Sequence, residues 1–480
     1  MQEEIERTAA VRIHALEDGN LTEKAKKLTL WALAWPIFIE LFLQFLLGAA
    51  DTLMVSRISD DAVAVVGFSN QLFSAVTTLF VTVASGAGIL IAQKLGARKS
   101  EDARTIGIMS LTVSCTIGLA LSVVLYLFPK QISSWLQLPD ELLPLAETYV
   151  SIVGGGMVLV AVMSALSTAI RNTGNTKGPM FIAIGMNVVH VVMNYGFIFG
   201  ELGFPEWGLK GVALSTVISR LLAVLVLLFM FLHAFVRPIR LRDLKQFDRG
   251  LFGEIMRIGW PLGVNMSCWV FSQMAIYAYI AMIGSSELAA RTYMNTLESF
   301  CFMLGYSIAL ALQIQIAHLF GAGRMREAYK TAYRALGIGL SIVIVNAAII
   351  YMIGKPVLGL FTKDEAIIAF GVSLLGLNIL LQPGKMLNMA IQNALNAVGD
   401  TRFTMWISLG SLSIIASGVS YWLGIGLGWG LTGIYIAMIL DEYVRGTLAL
   451  IRWRGRKKLR EAAGEMSEGN VSASGIRLEA

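Results

Sequence analysis

The run from Leu28 to Val55, LTLWALAWPIFIELFLQFLLGAADTLMV, decides how the rest of the chain is read. It is long enough to cross a bilayer, which takes about 20 predominantly apolar residues. Yet it contains Pro36, Glu40, Gln44 and Asp51. A carboxylate at the bilayer centre costs about 2.5–3.5 kcal/mol on insertion scales, so such a residue normally has a partner or a task. At about 100° per residue, positions 40, 44 and 51 fall within roughly 40° of each other and form one polar stripe. Pro36 has no N–H to give to the helical ladder, so a hinge is expected just before that stripe.

Composition fixes the class. Of 480 residues, 56% are hydrophobic and 15% charged, against about 25% charged in soluble domains. The mean hydropathy is +0.68. The formal charge of +6 is no nucleic-acid signature, because the Lys and Arg residues sit in short loops between apolar runs. Cys115, Cys268 and Cys301 lie inside apolar runs and suggest neither a disulfide framework nor a metal site. Residues 1–27 are polar and of mixed charge, without the regions of a cleaved signal. Gly-x-Gly strings fall within apolar runs without a phosphate-loop lysine, so neither ATP hydrolysis nor any other enzymatic activity is expected. No cofactor is expected beyond a coupling ion.

Twelve apolar stretches follow one another at about 28–55, 62–94, 104–128, 142–170, 178–201, 207–234, 252–283, 287–320, 329–353, 365–397, 403–425 and 430–452. The loops alternate in charge. Lys94, Arg98, Lys99 and Arg104 fill the second, Arg171 and Lys177 the fourth, and Arg237, Arg240, Arg242, Lys245 and Arg249 the sixth. Arg324, Arg326, Lys330 and Arg334 follow the eighth span, Arg402 the tenth, and Arg452 to Arg460 the twelfth. All these loops share one side, so both termini are predicted to be cytoplasmic in a multi-pass plasma-membrane protein.

The chain also repeats itself. Trp35-Pro36 returns as Trp260-Pro261, an offset of 225 (260 − 35). The same offset links Asn70 to Asn295, Gly96-Ala97 to Gly321-Ala322, and Gly174-Asn175-Thr176-Lys177 to Gly399-Asp400-Thr401-Arg402. Trp207-Gly208-Leu209 returns as Trp429-Gly430-Leu431 at an offset of 222. Six spans per half make this a parallel repeat, with a substrate cleft between two lobes. The expected fold is therefore an all-α membrane protein of twelve transmembrane helices in two pseudo-symmetric six-helix lobes. Its parts are a polar N-terminal segment (1–27), an N-lobe (28–235), a cytoplasmic linker (236–251), a C-lobe (252–453) and a cytoplasmic tail (454–480) expected to be disordered. Two lobes across one cavity suit alternating access better than a channel.

Several motifs resemble one family. Asp51-Thr-Leu-Met-Val55, Arg171-Asn-Thr-Gly-Asn-Thr-Lys177, the segment from Asn194 through Phe199-Gly200 to Gly208-Leu-Lys-Gly-Val-Ala213, and Ala394-Leu-Asn-Ala-Val-Gly-Asp-Thr-Arg402 are similar to multidrug and toxic compound extrusion (MATE) transporters. The likeness covers about 28–452. It implies a V-shaped pair of lobes that exports bulky organic cations against inward-flowing protons or sodium. It also implies that Asp51, fifteen residues after Pro36 (51 − 36), is the cation-linked carboxylate. In the archaeal and DinF-like members a second acid stands six residues before the Phe-Gly glycine. Here that position is Asn194, with His190 where those members carry Asn. Asn194, His190 and Asn187 are then the expected hydrogen-bonding partners of Asp51, as amides are in the NorM-like branch. That branch's C-lobe carboxylates fall on Trp269 and Lys385, so both are missing.

Further candidates line the expected cavity. Glu40 lies about 16 Å from Asp51 by helix rise, so the two cannot share one ion. It is either a second acceptor in the cavity or a headgroup-level acid. Gln44, Asn70 and Asn295 continue polar seams, and Glu298 is the acid deep in the C-lobe's first helices. Lys385 is placed either to pair with Glu298 or to snorkel to an interface. Trp269, Gln273 and Tyr277 form a possible wall for flat cations. Asp441, Glu442 and Arg445 have the spacing of an internal ion cluster. The expected function is a monomeric secondary antiporter of small organic cations in membrane lipid. A lipid-linked oligosaccharide flippase of the same superfamily, or a non-transporting membrane protein, are the alternatives.

Overall fold

In the computed structural model the described residues are 29–474, apart from 202, 241, 242, 244–246 and 362. The N-terminal segment 1–27 and the linker residues Arg242 and Lys245 lie outside them. The described residues contain helices and turns and no strand. The N-lobe comprises α1 (Leu30–Val55), α2 (Asp60–Gly96), α3 (Ser100–Leu127), a short α4 (Pro129–Trp135), α5 (Leu143–Gly155), α6 (Met157–Asn172), α7 (Lys177–Phe199) and α8 (Gly208–Leu232). The C-lobe follows with α9 (Arg249–Ile283), α10 (Ser285–Gly321), α11 (Met325–Met352), a short α12 (Gly354–Phe361), α13 (Glu365–Ala397), α14 (Thr401–Ser411) and α15 (Gly430–Ser474).

Local chemistry explains where these helices start and break. Ser59 caps α2 by accepting from the Ala62 N–H at 3.0 Å, with Asp60 and Asp61 in the first turn against the helix dipole. The fourth span breaks into α5 and α6 at Gly155-Gly156, and Ser122 Oγ accepts the freed Val158 N–H at 2.7 Å. The eleventh span continues α14 through two π-helical segments, Leu412–Val419 and Trp422–Gly426, where Ser417 Oγ donates to the Leu412 carbonyl at 3.0 Å. Gly174 and Gly399, equivalent in the repeat, both adopt positive φ (95° and 81°), which closes the same turn in each lobe. The short helices α4 and α12 begin 225 residues apart as well (354 − 129).

Among the described residues eleven helices are long and apolar enough to span alone, counting α5–α6 and α14 with its π-helical continuation as one each. The twelfth place belongs to α15, whose apolar stretch carries Asp441, Glu442 and Arg445. Beyond the expected span, α15 stays helical to Ser474, and the rest of the tail, 475–480, lies outside the described residues. The Arg, Lys, Glu, Ala and Leu residues of this extension are strong helix formers, and extending an existing helix avoids the cost of nucleation.

The hydrophobic cores show how the lobes meet. Near the basic loops the cores are mixed. Leu33, Ala34 and Ile37 of α1 pack in one cluster with Ile308 and Leu312 of α10 and Leu395 of α13. Ile255 and Ile258 of α9 join Ile91, Met109 and Leu166 of the N-lobe in another. Near the opposite loops the cores are separate. Val55, Val65, Val153 and Leu209 belong to a cluster of N-lobe residues, whereas Ile276, Leu374 and Ile434 belong to one of C-lobe residues. The lobes are thus joined on the basic-loop side and part on the other.

Candidate functional site

Helix α1 positions Asp51 four residues before its end, facing α7. On α7, Asn187, His190 and Asn194 recur at intervals of three and four and so share a face. Two of them reach the carboxylate. His190 Nε2 lies 2.7 Å from Asp51 Oδ1, and Asn194 Nδ2 donates to the same oxygen at 2.9 Å. Helix α8 supports both. Ser215 donates to Asn194 Oδ1, and Ser219 Oγ lies 3.4 Å from His190 Nδ1. Asn194 and His190 are buried, while the Asp51 side chain is 26% exposed. The buried Tyr149 and the Arg220 guanidinium stand within electrostatic reach of Asp51, and Arg220 Nη1 is buried with no protein partner.

Asn187 does not join this group. Both of its amide atoms are buried without a protein partner. It lies two helical turns from Asn194, about 10 Å by helix rise, so one carboxylate cannot serve both. Instead it lines an apolar groove of about 340 Å³ between α1 and α7, with Leu43, Leu47, Ala50 and Ile184.

The polar stripe on α1 is divided among three environments. Glu40 is buried and accepts from Arg171 Nη2 on α6 at 2.9 and 3.0 Å. Its charge is thus matched by a cation on a neighbouring helix. Gln44 is exposed. Pro36 is buried within a helix that runs unbroken around it, as is its repeat partner Pro261 in α9.

The C-lobe centre is built differently. Glu298 on α10 is 3% exposed. Its Oε1 accepts from Arg291 Nη1 at 2.7 Å and from the Tyr435 hydroxyl at 2.6 Å, and its Oε2 lies 3.0 Å from Lys385 Nζ on α13. Arg291 also donates to the Tyr435 oxygen at 2.9 Å and stands 5.9 Å from the centre of the Tyr277 ring. Glu298 is therefore the middle of a closed network. Tyr277 borders that network, while Gln273 is half-buried and Trp269, Asn70 and Asn295 are exposed. Beside α9 and the π-helical span, a second hollow of about 250 Å³ is lined by Cys268, Phe271, Ser272 and Ser417. A third buried cluster ties α15 to its neighbours. Arg445 Nε donates to Asp441 at 3.0 Å, Ser411 donates to Asp441 at 2.6 Å, and Asn388 donates to Glu442 at 2.6 Å.

Sequence reasoning missed Ser215, Ser219, Arg291 and Tyr435. For the serines a signal existed: they stand four apart on α8, and Ser219 matches Asp441 at the repeat offset of 222 (441 − 219). Arg291 could have been found as a basic residue seven positions, or two turns, before Glu298. Nothing local marks Tyr435. Among the described residues no cluster of metal-binding side chains occurs.

Comparison with known proteins agrees with this architecture. The MatE family model matches residues 36–196 and 261–422, one block in each lobe. The uncharacterized transporter YisQ of Bacillus subtilis is 33% identical, over 90% of this chain and 95% of its own length. The probable multidrug resistance protein NorM of Thermotoga maritima is 27% identical, over 89% and 93%. The multidrug resistance protein PmpM of Pseudomonas aeruginosa is 25% identical, over 92% and 95%. Among solved structures, MATE in the bent conformation superposes with a TM-score of 0.84 at 19% identity, covering 92% of this chain and 97% of that one. An outward-facing multidrug resistance MATE transporter gives 0.82 at 19% identity, over 90% and 96%. With two matched blocks, one per lobe, and a relative sharing nearly its full length, the chain belongs to the MatE family of membrane transporters and is not an enzyme.

Proposed function

We propose that the protein is a multidrug antiporter that exports bulky organic cations in exchange for an inward-moving ion bound at Asp51. The observation that carries this reading is a partly accessible carboxylate in a membrane helix whose two hydrogen-bond partners, His190 and Asn194, sit together on α7. No Lys or Arg among the described residues bonds to it, so its charge is open to change. The names of the NorM and PmpM relatives support the multidrug class.

With Asp51 ionised, a cationic substrate offsets the cost of a bare negative charge in the membrane interior. Loading Asp51 with the coupling ion removes that charge, and the cation is released. Of the two candidate ions, the proton suits the site better. Two nitrogens already crowd Asp51 Oδ1, whereas a hard cation calls for oxygen ligands. His190 adds a group that can itself carry a proton. The basic loops then face the cytoplasm of a plasma-membrane protein that works as a monomer.

The test is purified protein in liposomes, with pH and sodium gradients imposed separately while an ethidium-like dye is followed. Dye flux is expected under the pH gradient alone. Flux under sodium alone would reverse the choice of ion. Absence of flux under either gradient, with transbilayer movement of lipid-linked oligosaccharide in its place, would replace the antiporter by a flippase.

A further inference from the structure

Beside the contact from Lys94 to Glu254, two further hydrogen bonds cross between the lobes on the basic-loop side, and each of these two is the image of the other in the internal repeat. Gln93 near the end of α2 donates through Nε2 to the Ala397 carbonyl at the end of α13, at 2.7 Å. His318 near the end of α10 places Nε2 2.8 Å from the Asn172 carbonyl at the end of α6. The donors are 225 residues apart (318 − 93), and so are the acceptors (397 − 172). Both acceptors are terminal helix carbonyls, which have no partner within their own helix. A side-chain N–H from the opposite lobe satisfies each of them.

The backbone beneath these bonds obeys the same symmetry. Gly96 of α2 and Gly321 of α10 are repeat partners and lie where the two helices touch. A Cβ on Gly96 would meet the His318 carbonyl oxygen at 2.1 Å, and one on Gly321 would meet that of Gln93 at 1.9 Å. The helices therefore cross backbone to backbone. Gln93 and His318 span the crossing from opposite sides, beside the mixed cores that join the lobes here.

We infer that Gln93 and His318 are a matched pair of gate residues, which hold the basic-loop side shut while the cleft faces the other way. The inference rests on the alternating-access reading and adds the residues that set its balance. Opening this side breaks both bonds and separates the glycine crossing. Gln and His differ in shape and ionisation, and what they share here is one N–H at the reach of a helix end. The role therefore asks for a donor, not for a particular side chain.

Distance measurement between spin labels tests this without any substrate or gradient, so it stays informative even if the antiport assay fails. Labels go on Lys99→Cys and Arg324→Cys, repeat-equivalent positions on the basic loops (324 − 99 = 225), in liposome-embedded protein without its three native cysteines. The parent should show one short distance. Gln93→Leu and His318→Leu should each raise a longer-distance population about tenfold, and the double variant more, as expected for losing one and two net hydrogen bonds. His318→Gln, which copies the partner lobe, should restore the short distance, as should Gln93→His. An unchanged distribution in the double leucine variant would overturn the inference. So would a His318→Gln protein as open as His318→Leu.

Discussion

The two lobes share one topology but spend their membrane-embedded carboxylates in opposite ways. Asp51 in the N-lobe is partly exposed and held by an imidazole and an amide of one neighbouring helix. Glu298 in the C-lobe is 3% exposed and held by two cations and a phenol drawn from its own helix and two others. A buried acid with full ionic compensation resists any change of charge, because removing one partner strands the others. An acid without a Lys or Arg partner can gain or lose a counter-charge without breaking a fixed ion pair. On the function proposed above, ion exchange falls to the N-lobe and rigidity to the C-lobe. The repeat positions agree: Asp51 corresponds to Ile276 (51 + 225) and Glu298 to Phe73 (298 − 225), so neither centre has a copy across the axis.

The sharpest way to break this contrast is at Asp51. Asp51→Asn should lower dye transport on the order of 100-fold or more, the scale expected for losing a group whose protonation the cycle requires. Its melting temperature should stay near that of the parent. Wild-type efflux in that variant would remove the N-lobe from the mechanism. The second test is Glu298→Gln, which leaves Arg291 and Lys385 without their anion. A loss of about 3–5 kcal/mol is expected, read as lower thermal stability in detergent, with partial recovery when Lys385→Met is added. If Glu298→Gln is instead as stable as the parent but inactive, the C-lobe centre is a working site and the division of labour fails.

The smallest effect concerns the ends of the repeat. Asn175 in the N-lobe merely caps its own turn, accepting from the Gly178 N–H at 3.0 Å. Its equivalent, Asp400, accepts from Arg452 at 2.9 Å and Arg456 at 2.6 Å and so ties the last helix to the loop before α14. Burial acts to raise the Asp400 carboxyl, but the hydrogen bonds from Arg452 and Arg456 outweigh it and hold it below its ordinary value of 3.8. A depressed carboxyl contributes stability above its unfolded pKa and loses it as pH falls through the folded one. Asp400→Asn should lower the melting temperature by roughly 1–2 °C at neutral pH. The gap to the parent should close as the pH is taken below 3.8. A gap that persists in acid would mean that the ion pairs contribute nothing.

Much of this was legible beforehand because it is periodic. The spans show as apolar runs, the lobes as a constant offset, and the Asp51 partners as residues on one face of α7. Asn187 shares that face, and periodicity alone could not show that the carboxylate stops short of it. The partner of Glu40 was hidden for a related reason: Arg171 lies 131 positions away and looks like an ordinary loop cation until α6 is packed against α1.

The sequence alone therefore determined the class, the twelve-helix repeat and the acid at position 51, since burial period, loop charge and offset are properties of a chain read in order. Tertiary structure alone decided which charges meet. The azimuth at which each helix packs brings Tyr435 to Glu298 across 137 positions and Gln93 to Ala397 across 304. That angle is set by side-chain interlocking between distant segments, which no local pattern records.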